Sequence, residues 1–298
     1  MPNTLAHIGF QGIASRSVFR SADFRWILLG CIIPDVAWIL NRAAKALLPG
    51  IDLFDLRLYS MVQSSLFISL MLCMALAVLA VQVGRTFILL GFNSILHLLL
   101  DATQIKWANG VHLLAPFNWK LTTFNWYWPE GVPSYLLTLL GLLFLVIVWR
   151  RTIAQPLSLA VTSPLRWSLF VLLSVLYFAL PFLFMTGPQK ADNHFVQTLR
   201  NSESRSGKYV EIDRGSFSFY EGRGEIAYYG GERIEIEGVP LKRNASLSIR
   251  GVFITNDRIR VEEYHIHHDW LRDGASYLGL SFIGFLWIFS LFKQHRAS

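Results

Sequence analysis

The sequence predicts a mainly α-helical, polytopic membrane bundle that carries one inserted, small antiparallel β domain of OB-like barrel type. Three observations predict it. The 298 residues are 53% apolar and only 16% charged, with a mean hydropathy of +0.41, whereas soluble domains are about one quarter charged. The windows 62–83, 86–104, 132–149, 167–186 and 275–292 each approach the ~17–25 apolar residues that cross a bilayer as a helix. Between the last two, residues 187–273 turn polar and alternate with a period of two.

In chain order, the run 3–19 is shorter and mixed, and reads as a short helix dipping into the membrane. It has no signal-peptide layout, since no basic region precedes it and no small-residue cleavage site follows. A sixth hydrophobic segment, 26–42, is interrupted by Pro34 and Asp35. Cys31 and Cys73 sit within apolar runs and read as packing residues.

The turns holding Arg16, Arg20 and Arg25, then Arg85, then Arg150, Arg151 and Arg166, and the end with Lys293 and Arg296, are richer in basic residues than the loops 43–61 and 105–131. By the positive-inside rule the first set is cytoplasmic. Seven embedded segments follow, with the N-terminus outside and the C-terminus inside a bacterial inner membrane. The expected units are 1–186, helical; 187–273, an extracytoplasmic β domain; and 274–298, a last transmembrane helix with a short tail.

In the insertion, Ile234 and Ile236 alternate with Arg233, Glu235 and Glu237, and Leu247 and Ile249 with Ser246, Ser248 and Arg250. This is the pattern of half-buried strands. Glycines at 215, 222, 224, 230, 231, 238 and 251 punctuate four or five short strands, which suggests a small barrel. Residues 188–273 hold 13 Lys and Arg against 14 Asp and Glu, a net of −1. The excess positive charge therefore lies in the membrane part, where it sets orientation, and no nucleic-acid surface is expected.

An ionisable group at mid-membrane costs at least ~2.5–3.5 kcal/mol on insertion scales and faces a cavity or a partner. Of the six acids outside the insertion, only Asp35 and Asp101 lie within hydrophobic segments. His97 and Asp101 are four residues apart and share a helix face, with Asn93 one turn earlier. His7 and Gln11 repeat that spacing. With alternating helix directions, His7, Asp35, Gln63, His97 and Asp101 fall at one depth near the outer surface. Two alternatives stay open: a divalent metal site of imidazole and carboxylate ligands, suited to zinc, manganese or iron, or a buried His–Asp pair that fixes helix packing.

The same residues resemble a known family, the YdjM-like, LexA-regulated, membrane-bound metal-dependent hydrolases. That pattern has a histidine near the N-terminus, "PDxD" on the second helix, "THS" opening the third, and "HLxLD" running into "GVxLLxPF". Here "LAHIG" supplies His7, "GCIIPD" supplies Pro34 and Asp35, and "HLLLDATQIKWANGVHLLAPF" matches the last block. The resemblance covers residues 1–120. It departs at Ala37, where the family has its second aspartate, and at Gln63, where the histidine of "THS" falls. It implies a hydrolase with His7, Asp35, His97 and Asp101 as metal ligands, zinc first and manganese or iron as alternatives. Gln63 would orient water or substrate. A membrane lipid or lipid-linked phosphate ester is the implied substrate class. The alternative is a non-catalytic scaffold whose β domain binds a protein partner.

His112 is a further candidate, as a proton donor to a leaving group. The aromatic run "FNWKLTTFNWYWPEG", with Trp119, Trp126, Tyr127 and Trp128, reads as an interfacial belt. His265 and His267 share a strand face with Glu263; without a clear third ligand they read as exposed histidines.

Overall fold

The computed structural model describes residues 3–154, 159–160 and 163–295; Arg296, counted above for orientation, lies outside the described residues. The architecture is mainly helical. Four helical stretches are long and apolar enough to cross a membrane: Val83–Ala102, Val132–Arg150, Pro164–Lys190 and Trp270–Lys293. They belong to α6 (Val83–Ala102), α7 (Val132–Ala154), α8 (Pro164–Phe184) running into the short α9 (Thr186–Lys190), and α11 (Asp269–His295).

The segment expected to run straight over 62–83 does not. Two helices, α4 (Leu53–Gln63) and α5 (Leu66–Ala77), replace it and meet at 67°. Ser65 caps α5 in extended geometry, and the Leu66 N–H donates to the His112 carbonyl at 3.2 Å. A helix terminus leaves its first N–H groups without intrahelical partners, and a loop from elsewhere takes one of them. The sixth segment is broken as Pro34 predicts, into α2 (Phe24–Gly30) and α3 (Val36–Leu47). Asp35 sits at the N-cap of α3, yet its side chain caps nothing and stays available.

The N-terminal helix α1 (Thr4–Val18) is buried along most of its length. It crosses α7 at a backbone-to-backbone contact: a Cβ on Gly141 would lie 1.9 Å from the Leu5 carbonyl oxygen, and one on Gly9 2.5 Å from the Gly141 nitrogen. Only glycine fits at Gly141. Asn93, on the polar stripe of α6, serves this packing, since its Oδ1 accepts from Ser15 Oγ of α1 at 3.1 Å.

The polar insertion opens with α9 and α10 (Val196–Arg200), then five strands: β1 (Tyr209–Tyr220), β2 (Arg223–Ala227), β3 (Arg233–Glu237), β4 (Ala245–Phe253) and β5 (Arg258–His267). The sheet order is β1-β2-β3-β5-β4, with β4 pairing back onto β1. It is not wholly antiparallel as expected: β3 and β5 run parallel, because Ala245–Phe253 intervenes in the chain and pairs on the far side of β5. Val210, Phe217, Ile226, Ile234, Leu247, Ile249 and Ile259 fill the interior.

The expected loop 43–61 is mostly helix, the end of α3 and most of α4, and the insertion docks on the start of α4 and on the loop 105–131. Arg200 bridges Asp52 and Asp55, both at 2.7 Å, and Asn109 donates to Asp213 at 3.1 Å. The contact explains why Ser248, expected on the open face of β4, is fully buried.

Because α1 carries His7 and is seated by the glycine crossing, Gly141→Val is expected to lower stability by about 1–3 kcal/mol through overpacking. Thermal unfolding of the detergent-solubilised variant would show this as a reduced midpoint, whereas Gly274→Val, in open space, serves as the control.

Candidate metal centre

The break between α2 and α3 and the end of α6 set the site. His97 lies on the buried face of α6, and its Nδ1 is 2.8 Å from the carbonyl oxygen of Cys31, a carbonyl in the turn between α2 and α3. An Nδ1–H donated there leaves the Nε2 lone pair free. His7 stacks on His97, with ring centroids 3.8 Å apart and planes 7° from parallel. Gln11 Nε2 lies 2.9 Å from His7 Nδ1, and Oε1 of the same amide has no partner. Turning that amide over would present Oε1 to Nδ1–H and free His7 Nε2 in the same way. Orienting partners of this kind accompany metal-bound histidines.

The atoms that face one another are left without partners. His7 Nε2, His97 Nε2, Asp35 Oδ1 and Asp101 Oδ1 are all buried with no hydrogen bond. His7 Nε2 is 3.5 Å from Asp101 Oδ1, His97 Nε2 is 3.5 Å from Asp35 Oδ1 and 3.8 Å from Asp101 Oδ2. These separations exceed the ~2.7–3.2 Å of a good hydrogen bond. Ligands placed ~2.0–2.2 Å from one tetrahedral ion lie ~3.3–3.6 Å from each other, which the two 3.5 Å separations match. His7, His97 and Asp101 could hold a metal ion, and Asp35 reaches the same His97 nitrogen. Three of the four side chains are sealed, and Asp35, at 17% exposure, is where the site opens.

Not every expected residue joins them. Gln63 is buried, donates to Tyr59 Oη at 3.3 Å, and makes no hydrogen bond to the four. Ala37 is fully buried and supplies no ligand. His112 is buried rather than at a surface; its Nε2 accepts from Asn193 Nδ2 at 3.0 Å, and burial pushes its pKa down to about 4. A histidine that is neutral at pH 7 is a poor proton donor, so the expected general-acid role does not fit this environment. A cleft bordered by Phe19, Asp23, Trp26 and Arg85 opens at the other end of α6, roughly 18 Å from His97 along the helix axis.

Residues that the linear pattern did not single out complete the surroundings. Lys106 is buried, with Nζ 3.6 Å from Asp101 Oδ1. His194 is also buried; burial first, then the charges of Arg57, His112 and Lys106, hold it well below its ordinary value. His194 arrives from the insertion, a unit whose placement over the helices has no signature in local sequence. Lys106 stands five residues beyond Asp101 in the quoted block, so helix-end geometry offered a signal there.

A second cluster forms where the insertion meets the loop 105–131. His265 and His267 are not simply exposed: Trp128 stacks on His265 at 3.7 Å, and Glu130 lies 2.9 Å from His267 Nδ1 and 3.4 Å from His265 Nε2. Glu130 supplies the third ligand missing from the strand, while Glu263 pairs with Arg250 instead. These three could also hold a metal ion. Here, however, Glu130 Oε1 already accepts from His267 and, at 2.9 Å, from Arg214, and a guanidinium on the same carboxylate opposes a divalent ion. Burial works to raise the Glu130 pKa, yet the bonds to His265 and His267 and the Arg214 charge outweigh it and hold the carboxyl below its usual range.

Comparison with family models, curated proteins and solved structures returns no match to this chain.

The buried neutral histidines make an acid-side prediction. Below about pH 6.5 the unfolded chain takes up a proton at His112 that the folded chain refuses until about 4, so each such residue costs the fold ~1.4 kcal/mol per pH unit over that window. Glu130, with a lowered pKa, acts in the same sense at lower pH, since its contribution is lost as the unfolded carboxyl protonates first. Thermal midpoints should hold between pH 7.5 and about 6.5 and then fall down to pH 4.5, and His112→Gln should make the fall shallower.

Proposed function

We propose that this chain is a membrane-embedded, metal-dependent hydrolase of a membrane-associated phosphate-ester or lipid-linked substrate, working at the outer face of a bacterial inner membrane. The observation that carries the proposal is the set of unpartnered, mutually facing ligand atoms on His7, Asp35, His97 and Asp101. Two imidazole nitrogens and two carboxylates suit zinc first, with manganese or iron as alternatives. Such an ion, when bound, supplies a hydroxide nucleophile at neutral pH. The chain's own residues do the rest: Cys31 and Gln11 orient the histidines, and Asp35 stands at the opening. The phosphate-ester class and the sidedness rest on the resemblance to YdjM-like hydrolases and on the distribution of basic residues. In this reading the five-stranded unit is an OB-like barrel covering the extracytoplasmic end, and it shapes access to the site.

One observation favours a second reading, a non-catalytic scaffold whose β domain binds a protein. The Lys106 ammonium beside Asp101 offsets that carboxylate's charge without any ion, and Ala37 and Gln63 withhold two family ligands.

Elemental analysis of detergent-purified protein separates the two. The hydrolase reading expects about one zinc, manganese or iron per chain, lost in Asp101→Ala. A metal-free wild type, even after reloading, would sink it and leave the scaffold.

A further inference from the structure

Near the start of α3 packs a cationic group that the proposed chemistry does not use. Trp38 lies one turn beyond Asp35 on α3, and the Arg57 guanidinium is stacked between it and Tyr229, with Cζ 4.8 Å from each ring centroid. The Arg57 Nε donates to His194 Nδ1 at 2.9 Å. Its two terminal nitrogens make no hydrogen bond among the described residues, and no carboxylate lies within ion-pair distance of it. A guanidinium clamped between aromatic faces with its fork left open is built to meet a bidentate anion.

His194 points to the same ligand. Because its Nδ1 accepts from Arg57, its proton is on Nε2, and that buried Nε2 has no acceptor. The segment that presents it is strained: Asp192, His194 and Phe195 all hold left-handed backbone, with φ of 49°, 57° and 54°. Non-glycine residues adopt that region at a cost, and such strain gathers where geometry is over-determined for a task. The Tyr229 hydroxyl fixes the His194 carbonyl at 3.0 Å, and Trp38 stacks parallel to its ring at 6.1 Å. Lys106 borders Asp101, with Nζ 3.6 Å from Oδ1, and its charge is among those that act on His194. Asp213, the acid whose charge acts on Arg57, is engaged by Asn109 and Ser248 at 3.1 and 3.0 Å.

We infer that Arg57, His194 and Lys106 form a phosphate-binding subsite beside the proposed metal centre. All three offer donors and no free acceptor, which matches the acceptor-only oxygens of a dianionic phosphate. The subsite would seat the phosphoryl group of the substrate with its ester oxygen toward Asp35. It rests on the metal-hydrolase reading for its purpose, though not for its existence.

The test is calorimetric titration of inorganic phosphate into full-length, zinc-loaded, detergent-solubilised protein, with bound zinc counted in each sample. Arg57→Gln should weaken phosphate binding at least tenfold while zinc stays at the wild-type level, which also reports that the helices are folded. Arg57→Lys, keeping the charge without the fork, should fall between. Equal phosphate affinity in wild type and Arg57→Gln, or zinc-loaded wild type that binds no phosphate, would overturn the subsite and leave the metal reading intact. If wild type holds no zinc yet binds phosphate in an Arg57-dependent way, the metal reading fails and the subsite stands. A parallel titration with a short-chain phosphatidic acid distinguishes the source. Tighter binding than inorganic phosphate assigns a lipid headgroup, equal binding a free phosphate, and both support the subsite.

Discussion

The fold turns on one constraint: two carboxylates and two imidazoles are held inside an apolar helical bundle, where none can be left to itself. Insertion of even one such group costs a few kcal/mol, so each must meet a partner at the same place. His97 and Asp101 come from one face of α6. Asp35 reaches them because Pro34 breaks the second hydrophobic segment and leaves an uncapped aspartate at the new helix start. His7 reaches them because Gly9 and Gly141 let α1 lie directly against α7. Each of these local features would be a defect in isolation; together they bring His7, His97 and Asp101 to one place, with Asp35 beside His97.

Distance bears on the two explanations of that cluster. A structural His–Asp network would close its hydrogen bonds, as His267 does with Glu130 at 2.9 Å. At the His–Asp cluster within the helices the corresponding separations are 3.5 to 3.8 Å, while the outward nitrogen of His97 is bonded at 2.8 Å. The outer contacts are tight and the inner ones open. That contrast favours an ion at the centre over a proton-shared staple. Lys106 is the counterweight, because it supplies positive charge without an ion.

The polar insertion is tied to the helical part through Arg200, Asn109 and Glu130, and it contributes His194 and Tyr229 to the packing around Arg57 and Trp38. The β domain is therefore packed on the helices and is not a tethered appendage. Its docking also explains why polar strand positions such as Ser248 and His267 are buried: the face that alternation marks as wet is the face that meets the loop around Trp128 and Glu130.

Local chemistry in the sequence determined much of this. Hydropathy fixed four long apolar helices, Pro34 fixed the break before Asp35, the four-residue spacing fixed His97 and Asp101 on one face, and period-two alternation fixed the strands around Ile234 and Ile249. These are short-range rules, with periods of 3.6 or 2 residues that any window displays. Tertiary structure alone decided what depends on contacts between distant segments. The 67° bend between α4 and α5 is sealed by the His112 carbonyl, 46 residues beyond Leu66 in the numbering. The parallel β3–β5 pairing skips a strand. Glu130 meets His265 and His267, Arg57 meets His194, and His112 is drawn inside, because the insertion folds back onto loops that precede it. No local period encodes such a return; it is selected by the burial and pairing of groups that meet only once the chain is compact.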